Sequence, residues 1–418
     1  MTGRGNVETL AVYNSGSVGA RMSRDSVERN NRPRIGFQVK PPFQVATADY
    51  AGSGNRGVQD IAVALAWVHA NIAAFGGDPD NVTIFGDSGG GLKTSCLYAM
   101  PQAARYFHKA SIESGPGVRV IEPELAAQTT RKLLDHLGIA PAAWRTLLTL
   151  PAATLLDAQI KIGSPPNAAP ASWGGRAGIG AGTLGSFGAV RDGHVLPHHP
   201  FDPGAPNLSR NKPLIVGGNQ EEQMFFSLVA RDTAAWALDD AALAARMRQA
   251  FGAKAEAVIA TYRGDRPGAT PSDLYFAIQS DLFSGQGSTV IAERKMQQRA
   301  APAFRYVLAY QQGGPVPGAS ATMGALHAMD IPFKFNTVDA TVGGRPPIAG
   351  PRPERHAMAR TMSRAWATFA RTGTPAAPGL PEWPAYDLTR RPTMYLDVAS
   401  HVVDDPHRAE RLFWEHAG

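Results

Sequence analysis

One short stretch of this chain places a serine between glycines, after an apolar run and before a helix-compatible segment. Residues 75–91 read FGGDPDNVTIFGDSGGG. Residues 82–85 are apolar and partly β-branched, which predicts a buried strand. A serine on a sharp strand-to-helix turn projects its hydroxyl above the sheet, and flanking glycines permit that turn. The stretch therefore predicts a wound α/β sheet with Ser88 as a candidate nucleophile, and a plain glycine-rich turn is the alternative.

The segments on both sides extend this α/β pattern. Apolar residues recur at alternating three- and four-residue steps from Val58 to Phe75, which predicts an amphipathic helix. Further strands are predicted at 110–112, 213–216 and 304–310, each followed by glycine- or proline-containing turns. We therefore expect a mostly parallel sheet flanked by helices. No break resembles a linker, so residues 51–418 are predicted to form one domain, preceded by an atypical segment at 1–50.

Composition narrows the function classes. The formal net charge of +6 is spread along 418 residues without a dense basic run, so no nucleic-acid partner is expected. Cys96 is the single cysteine, which excludes an internal disulfide and a cysteine-based metal site. No apolar run was expected to approach the roughly 18 residues of a membrane span. Because the N-terminal residues lack the apolar segment of a signal peptide, a cytoplasmic location is expected.

A serine nucleophile needs a base, and the base needs an acid that orients it. Glu222 follows the predicted strand 213–216, and His327 follows the predicted strand 304–310. Hydrolases with a serine on this kind of turn carry the acid and then the histidine later in the chain, which is the order found here. Glu221 is a neighbouring alternative for the acid.

Several segments, taken in order, resemble the type B carboxylesterases, the group of para-nitrobenzyl esterases and cholinesterases. The most specific match is AWVHANIAAFGGDPDNVTIFGDSGGG, which resembles the nucleophile signature of that family. VGGNQEEQMFF resembles the acid segment, and GALHAMDIPFKF resembles the histidine segment. The resemblance runs from about Asn55 to about Tyr395. It implies an α/β-hydrolase fold that hydrolyses carboxylic esters through an acyl-enzyme on a serine.

The same resemblance implies a role for each site residue. It places the nucleophile at Ser88, the acid at Glu222 and the base at His327. The backbone N–H of Gly89 is implied to hold the oxyanion. Asp87 is implied to be a buried supporting carboxylate, bonded to Ser114. A small-molecule ester is the implied substrate, with no cofactor and no metal.

Two other groups of side chains could suggest different chemistry. The pair His198-His199 has no third ligand at a suitable spacing, so no metal site is predicted there. Asp330, three residues after His327, is expected to be structural.

One part of the family pattern is missing. Type B carboxylesterases carry a His-Gly-Gly-Gly-type segment ahead of the serine, whose backbone N–H groups supply most of the oxyanion hole. Residues 1–87 contain no such segment. We therefore expect the usual N-terminal strands to be missing or replaced. The alternative function is a truncated or catalytically compromised homologue acting at most as a binding module. Acyl transfer to an alcohol uses the same machinery and stays open.

Overall fold

A six-stranded sheet forms the centre of the molecule. The computed structural model describes residues 52–163, 174–341 and 344–417. The sheet order follows the chain order, and the first five strands are parallel, while β6 pairs antiparallel with β5. The strands are β1 (Thr83–Asp87), β2 (Lys109–Glu113), β3 (Leu214–Asn219), β4 (Ala303–Leu308), β5 (Pro392–Leu396) and β6 (His401–Asp404). The prediction of a mostly parallel sheet flanked by helices is confirmed.

Helices occupy most of the connections between the strands. In chain order they are α1 (Arg56–Asn71), α2 (Gly89–Ala99), α3 (Pro101–Ala104), α4 (Pro123–His136), α5 (Ala152–Ile162), α6 (Glu222–Val229), α7 (Asp240–Phe251), α8 (Ala255–Asp265), α9 (Pro271–Ser280), α10 (Gln286–Gln297), α11 (Asp330–Lys334), α12 (Arg355–Thr372) and α13 (Arg408–Ala417). A π-helical turn, Asp281–Gly285, joins α9 to α10.

The two faces of the sheet are buried under different helices. Side chains alternate along a strand, so Leu214 and Val216 face one side of β3 and Ile215 faces the other. Leu214 and Val216 pack in a core cluster with side chains of α1, α2 and α10. Ile215 packs in a second cluster with Phe369 of α12 and Met394 of β5. Burial on both faces explains why the inner strands are apolar runs without alternation.

Helix α1 is amphipathic, as predicted, but it is also apolar enough to correct one expectation. The stretch Ser53–Phe75 contains an 18-residue window of mean hydropathy 1.4, of which 22% is buried. By length and composition alone it could cross a membrane, so the expectation about run length was wrong for this stretch. Asp60 interrupts the apolar run, but the mean hydropathy of the window stays high enough for a membrane span. Since Leu65 and Val68 pack into the core of the sheet, this is weak evidence for a span.

The predicted segment at 1–50 lies outside the described residues. The predicted strands and their turns at 82–85, 110–112, 213–216 and 304–310 correspond to β1 to β4. The carboxyl ends of parallel strands meet at one edge of the sheet. The loops after β1, β3 and β4, which carry Ser88, Glu222 and His327, are therefore brought to the same edge.

Candidate active site

Ser88 lies on a strained turn between β1 and α2. Its backbone has φ 58° and ψ −122°, a conformation that costs free energy for a residue with a side chain. Close backbone packing holds the turn. A Cβ on Gly86 would lie 2.3 Å from the carbonyl oxygen of Gly90, and a Cβ on Gly115 would lie 1.8 Å from that of Ser88. The turn thus requires glycine at both positions.

Glu222 begins α6, directly after β3, and its side chain is fully buried. Its Oε1 accepts hydrogen bonds from the backbone N–H of Asn219 at 2.8 Å and from Ser284 Oγ at 3.1 Å. Its Oε2 lies 2.6 Å from Nδ1 of His327. Both carboxylate oxygens therefore have partners, and this arrangement fixes the orientation of the imidazole.

His327 lies in the loop between β4 and α11 with its ring held by three phenylalanines. Phe226 stacks on the imidazole with ring centroids 5.1 Å apart, and Phe283 and Phe225 meet it edge-on. Since Nδ1 bonds to Glu222, the Nδ1–H tautomer leaves Nε2 with a lone pair for a proton. A buried carboxylate therefore sets the tautomer of this imidazole.

The electrostatics of the site favour the charged imidazole. Burial lowers the pKa of His327, but the charges of the Glu222 and Asp87 carboxylates and the hydrogen bond that His327 donates to Glu222 outweigh burial and raise this pKa to about 9. Asp87 Oδ1 lies 3.9 Å from Nε2 of His327. Burial, and then the charge of Asp330, raise the pKa of Asp87 itself well above its ordinary value. Asp87 raises the pKa of His327 only in its ionised form, so its own raised pKa weakens this contribution.

Glu221 has a different set of partners from Glu222. It accepts from the backbone N–H of Ala325 at 2.7 Å and from Gln311 Nε2 at 3.3 Å. It therefore anchors the loop that carries His327, while Glu222 holds the imidazole. Burial raises the pKa of Glu221.

The implied bond between Asp87 and Ser114 is not formed. Within the described residues, neither carboxylate oxygen of Asp87 has a hydrogen-bond partner, and Ser114 Oγ has none. Ser114 has φ 47°, which places its backbone in the left-handed region at the end of β2. Asp87 is nevertheless buried next to Ser88, as expected.

Gly89 is the first residue of α2, directly after Ser88. The first N–H groups of a helix have no partner within the helix, and they carry a partial positive charge. The N–H of Gly89 is therefore available to an oxyanion on Ser88.

Asp330 belongs to a buried ionic cluster that sequence analysis did not find. Lys334 Nζ lies 2.6 Å from Asp330 Oδ2 and 2.5 Å from Glu113 Oε2. Trp366 Nε1 donates to Glu113 Oε1 at 3.1 Å, and Tyr306 Oη donates to Asp330 Oδ2 at 3.0 Å. The cluster connects β2, β4, α11 and α12 beneath the loop of His327. Glu113 and Lys334 are 221 residues apart, so no local pattern marks the pair.

Two groups of side chains that contain a histidine are hydrogen-bonded to other protein groups. His199 Nδ1 accepts from the N–H of Val120 at 3.2 Å, and its Nε2 bonds to Glu122 at 3.0 Å. Among the described residues, one group of side chains has donor atoms within 4.8 Å of one another, namely Asp265, His407 and Glu410. Arg266 bonds to both oxygens of Glu410, at 2.6 and 2.9 Å, so a guanidinium already neutralises this group.

Comparison with known proteins assigns the chain to a family. Residues 44–414 match the model of the carboxylesterase family. The chain belongs to the carboxylesterase family. By that membership it is a serine carboxylesterase, a carboxylic-ester hydrolase of the α/β-hydrolase fold, as predicted.

Individual members of the family are similar over most of this chain. The para-nitrobenzyl esterase of Bacillus subtilis is 32% identical over 371 residues, which are 88% of this chain and 69% of that protein. Carboxylesterase 1C of Rattus norvegicus is 28% identical over 359 residues, covering 82% of this chain and 60% of that protein. The crystal structure of a Geobacillus stearothermophilus carboxylesterase superimposes with a TM-score of 0.69 at 33% identity, covering 87% of this chain and 70% of that one.

Proposed function

We propose that Ser88, His327 and Glu222 form a catalytic triad that hydrolyses small carboxylic esters through an acyl-enzyme. The observation that carries the proposal is the 2.6 Å bond between Glu222 Oε2 and His327 Nδ1, with Nε2 of the same imidazole 3.9 Å from Oδ1 of Asp87, the residue before Ser88. A buried carboxylate on Nδ1 directs the lone pair of Nε2 outward, which is the arrangement that a general base needs.

Each step follows from these groups. Nε2 of His327 takes the Ser88 hydroxyl proton while Oγ attacks the ester carbonyl carbon. The carbonyl π electrons move to oxygen, and the Gly89 N–H bonds to the oxyanion. The tetrahedral intermediate collapses, the alkoxide leaves with the proton from His327, and the acyl group stays on Ser88. Water then attacks the acyl-enzyme with His327 as base, and the carboxylic acid departs. Glu222 stabilises the imidazolium of His327 during both acylation and deacylation.

The substrate class follows from the family, and the relatives suggest the test substrates. Because a similar protein is named a para-nitrobenzyl esterase, para-nitrobenzyl esters should be tested beside p-nitrophenyl acetate. Phe225 and Phe226 flank His327, so aromatic or apolar ester groups are favoured next to the base.

The rival proposal is a compromised or non-catalytic homologue, in which the Gly89 N–H lacks the further donors that an oxyanion needs. Loss of a single oxyanion donor typically costs about 10²–10³ in kcat. Acyl transfer to an alcohol is the same chemistry with an alcohol in place of water, and added methanol or glycerol would reveal it as a new ester product.

The deciding experiment is covalent labelling of the full-length protein by a fluorophosphonate, with p-nitrophenyl acetate turnover measured in parallel. We expect labelling at Ser88 and turnover, both lost in Ser88→Ala. Ser114→Ala serves as a control, because Ser114 is another serine with a positive φ directly after a parallel strand, and its substitution should leave labelling intact. Folded wild-type protein that neither labels nor turns over would establish the rival, and unchanged turnover in Ser88→Ala would refute the triad.

A further inference from the structure

The end of β2 holds the backbone of the proposed nucleophile. The N–H of Ser88 donates to the carbonyl oxygen of Glu113 at 2.8 Å. Two residues later, Gly115 packs so closely that a Cβ there would lie 1.8 Å from the carbonyl oxygen of Ser88. Asp87 and Glu113 are also register partners in the sheet. The position of the strained Ser88 turn therefore depends on where the backbone of Glu113 lies.

The side chain of Glu113 is held by three donors. It is 1% exposed, and its Oε1 accepts from Ser111 Oγ at 2.7 Å and from Trp366 Nε1 at 3.1 Å. Its Oε2 pairs with Nζ of Lys334. A buried polar network whose bonds are satisfied is rigid. These bonds therefore fix the end of β2 relative to α11 and α12.

Lys334 makes a second ion pair, on the side of the proposed base. Its Nζ lies 2.6 Å from Oδ2 of Asp330, which begins α11 and follows His327 by three residues. Tyr306 Oη donates to the same oxygen at 3.0 Å. One ammonium group thus joins the strand end that holds Ser88 to the helix start that follows the loop of His327.

The charges explain why this bridge should control a distance. Burial lowers the pKa of Lys334, but the charges of Asp330, Glu113 and Asp87 outweigh burial and raise this pKa, so the lysine stays protonated. Among the described residues, no other cation pairs with Glu113 or Asp330. Without the ammonium group, the two buried carboxylates would repel each other. The end of β2 and the start of α11 would then move apart.

We propose that Lys334 is a positioning residue for ester hydrolysis. By pairing with Glu113 and Asp330 at once, it sets the separation between Ser88 Oγ and Nε2 of His327. The inference rests on the proposed triad, and Lys334 acts through the two carboxylates rather than on the substrate. Proton transfer needs Oγ and Nε2 at hydrogen-bond distance, so loss of the bridge should slow the chemistry without changing how the ester binds.

Lys334→Met tests the proposal in the full-length protein. Folded protein is isolated by gel filtration, and kcat, KM and the rate of fluorophosphonate labelling are measured, with p-nitrophenyl acetate as substrate. We expect kcat and the labelling rate to fall together by about 10²-fold, since a misplacement of about 1 Å costs that much, while KM stays nearly unchanged.

A second variant decides the question if Lys334→Met fails to fold. Glu113→Gln keeps a carbonyl acceptor for Ser111 and Trp366 but removes the ion pair with Lys334. We expect it to lower kcat by about tenfold, because a hydrogen bond between charged groups is lost. An unaltered kcat in folded Glu113→Gln would contradict the proposal.

Lys295→Met is the matched control, because Lys295 is also a buried lysine, with 0% exposure. Its Nζ donates to the carbonyl oxygens of Ser209 and Arg210. This variant should be less stable but should keep the kcat and the labelling rate of the wild type. Folded Lys334→Met with wild-type kcat, or with a change confined to KM, would overturn the proposal, and so would an equal loss of kcat in Lys295→Met. Folded wild type that neither labels nor turns over would overturn the triad as well, which distinguishes the two failures.

Discussion

Two adjacent glutamates, Glu221 and Glu222, have different hydrogen-bond partners, and only Glu222 is proposed to be catalytic. Glu222 bonds to His327, whereas Glu221 accepts the N–H of Ala325 in the same loop. We predict that Glu222→Gln lowers kcat for p-nitrophenyl acetate by about 10⁴-fold, because an amide no longer selects the useful tautomer or stabilises imidazolium. Glu221→Gln keeps a carbonyl acceptor for Ala325 and should change kcat little. The reverse ranking would move the acid to Glu221.

The pH profile follows from the same carboxylates. The base must be neutral, so activity should rise with pH through the pKa of His327. Glu222 and Asp87 raise this pKa to about 9 from an ordinary 6.5. The acidic limb of the kcat/KM profile should therefore have its half-maximal point between pH 6.5 and about pH 9. Removing the charge in Glu222→Gln should move the residual limb to lower pH. A limb that stays in place in this variant would show that the carboxylate does not act on the imidazole.

At the scale of elements, the conformation of the turn between β1 and α2 depends on how closely the loop after β2 packs against it. Gly115 approaches the backbone of Ser88 so closely that a Cβ would lie 1.8 Å from its carbonyl oxygen. We predict that Gly115→Ala shifts the nucleophile and lowers kcat by about 10²-fold, since misplacement by about 1 Å costs that much. Gly57→Ala in α1 meets nothing within 4 Å and should leave kcat unchanged. Fluorophosphonate labelling rates would report the position of Ser88 directly, and equal rates in both variants would contradict the prediction.

Secondary-structure elements are predictable from the sequence where a single local pattern specifies them. The 3.6-residue periodicity from Val58 to Phe75 located α1. β5 and β6 were not predicted, because each is short and their residues become a strand only by pairing with β4 and with each other. Loop order alone predicted which strands carry Ser88, Glu222 and His327.

At the scale of the whole molecule, long-range polar contacts escaped prediction. Lys334 is placed between Glu113 and Asp330 by the packing of β2, α11 and α12, and no sequence spacing encodes that meeting. Such clusters need the assembled fold, whereas the candidate triad could be inferred from order along the chain because each member follows a recognisable strand.

The buried cluster should matter to the stability of the whole fold. Lys334→Met leaves two carboxylates, both at most 1% exposed, without their cation. We predict a loss of about 3–5 kcal/mol in the free energy of unfolding, measured by urea denaturation. The loss should shrink as pH falls, because Glu113 and Asp330 can then be buried as neutral acids. Lys161→Met removes an exposed pair with Asp157 and should change little. Equal effects in the two variants would refute this role.

The chain-order sheet also has a consequence for how the molecule folds. Each parallel strand pair is closed by a crossover, and Glu222 and His327 meet across 105 residues. Non-local pairing of this kind slows folding, because loop-closure entropy is lost before the contacts form. Ser88 cannot acquire its base until β4 has joined β3. Reactivity of Ser88 toward a fluorophosphonate should therefore appear late during refolding, after helical structure has recovered. Labelling of Ser88 would then report when the sheet is complete.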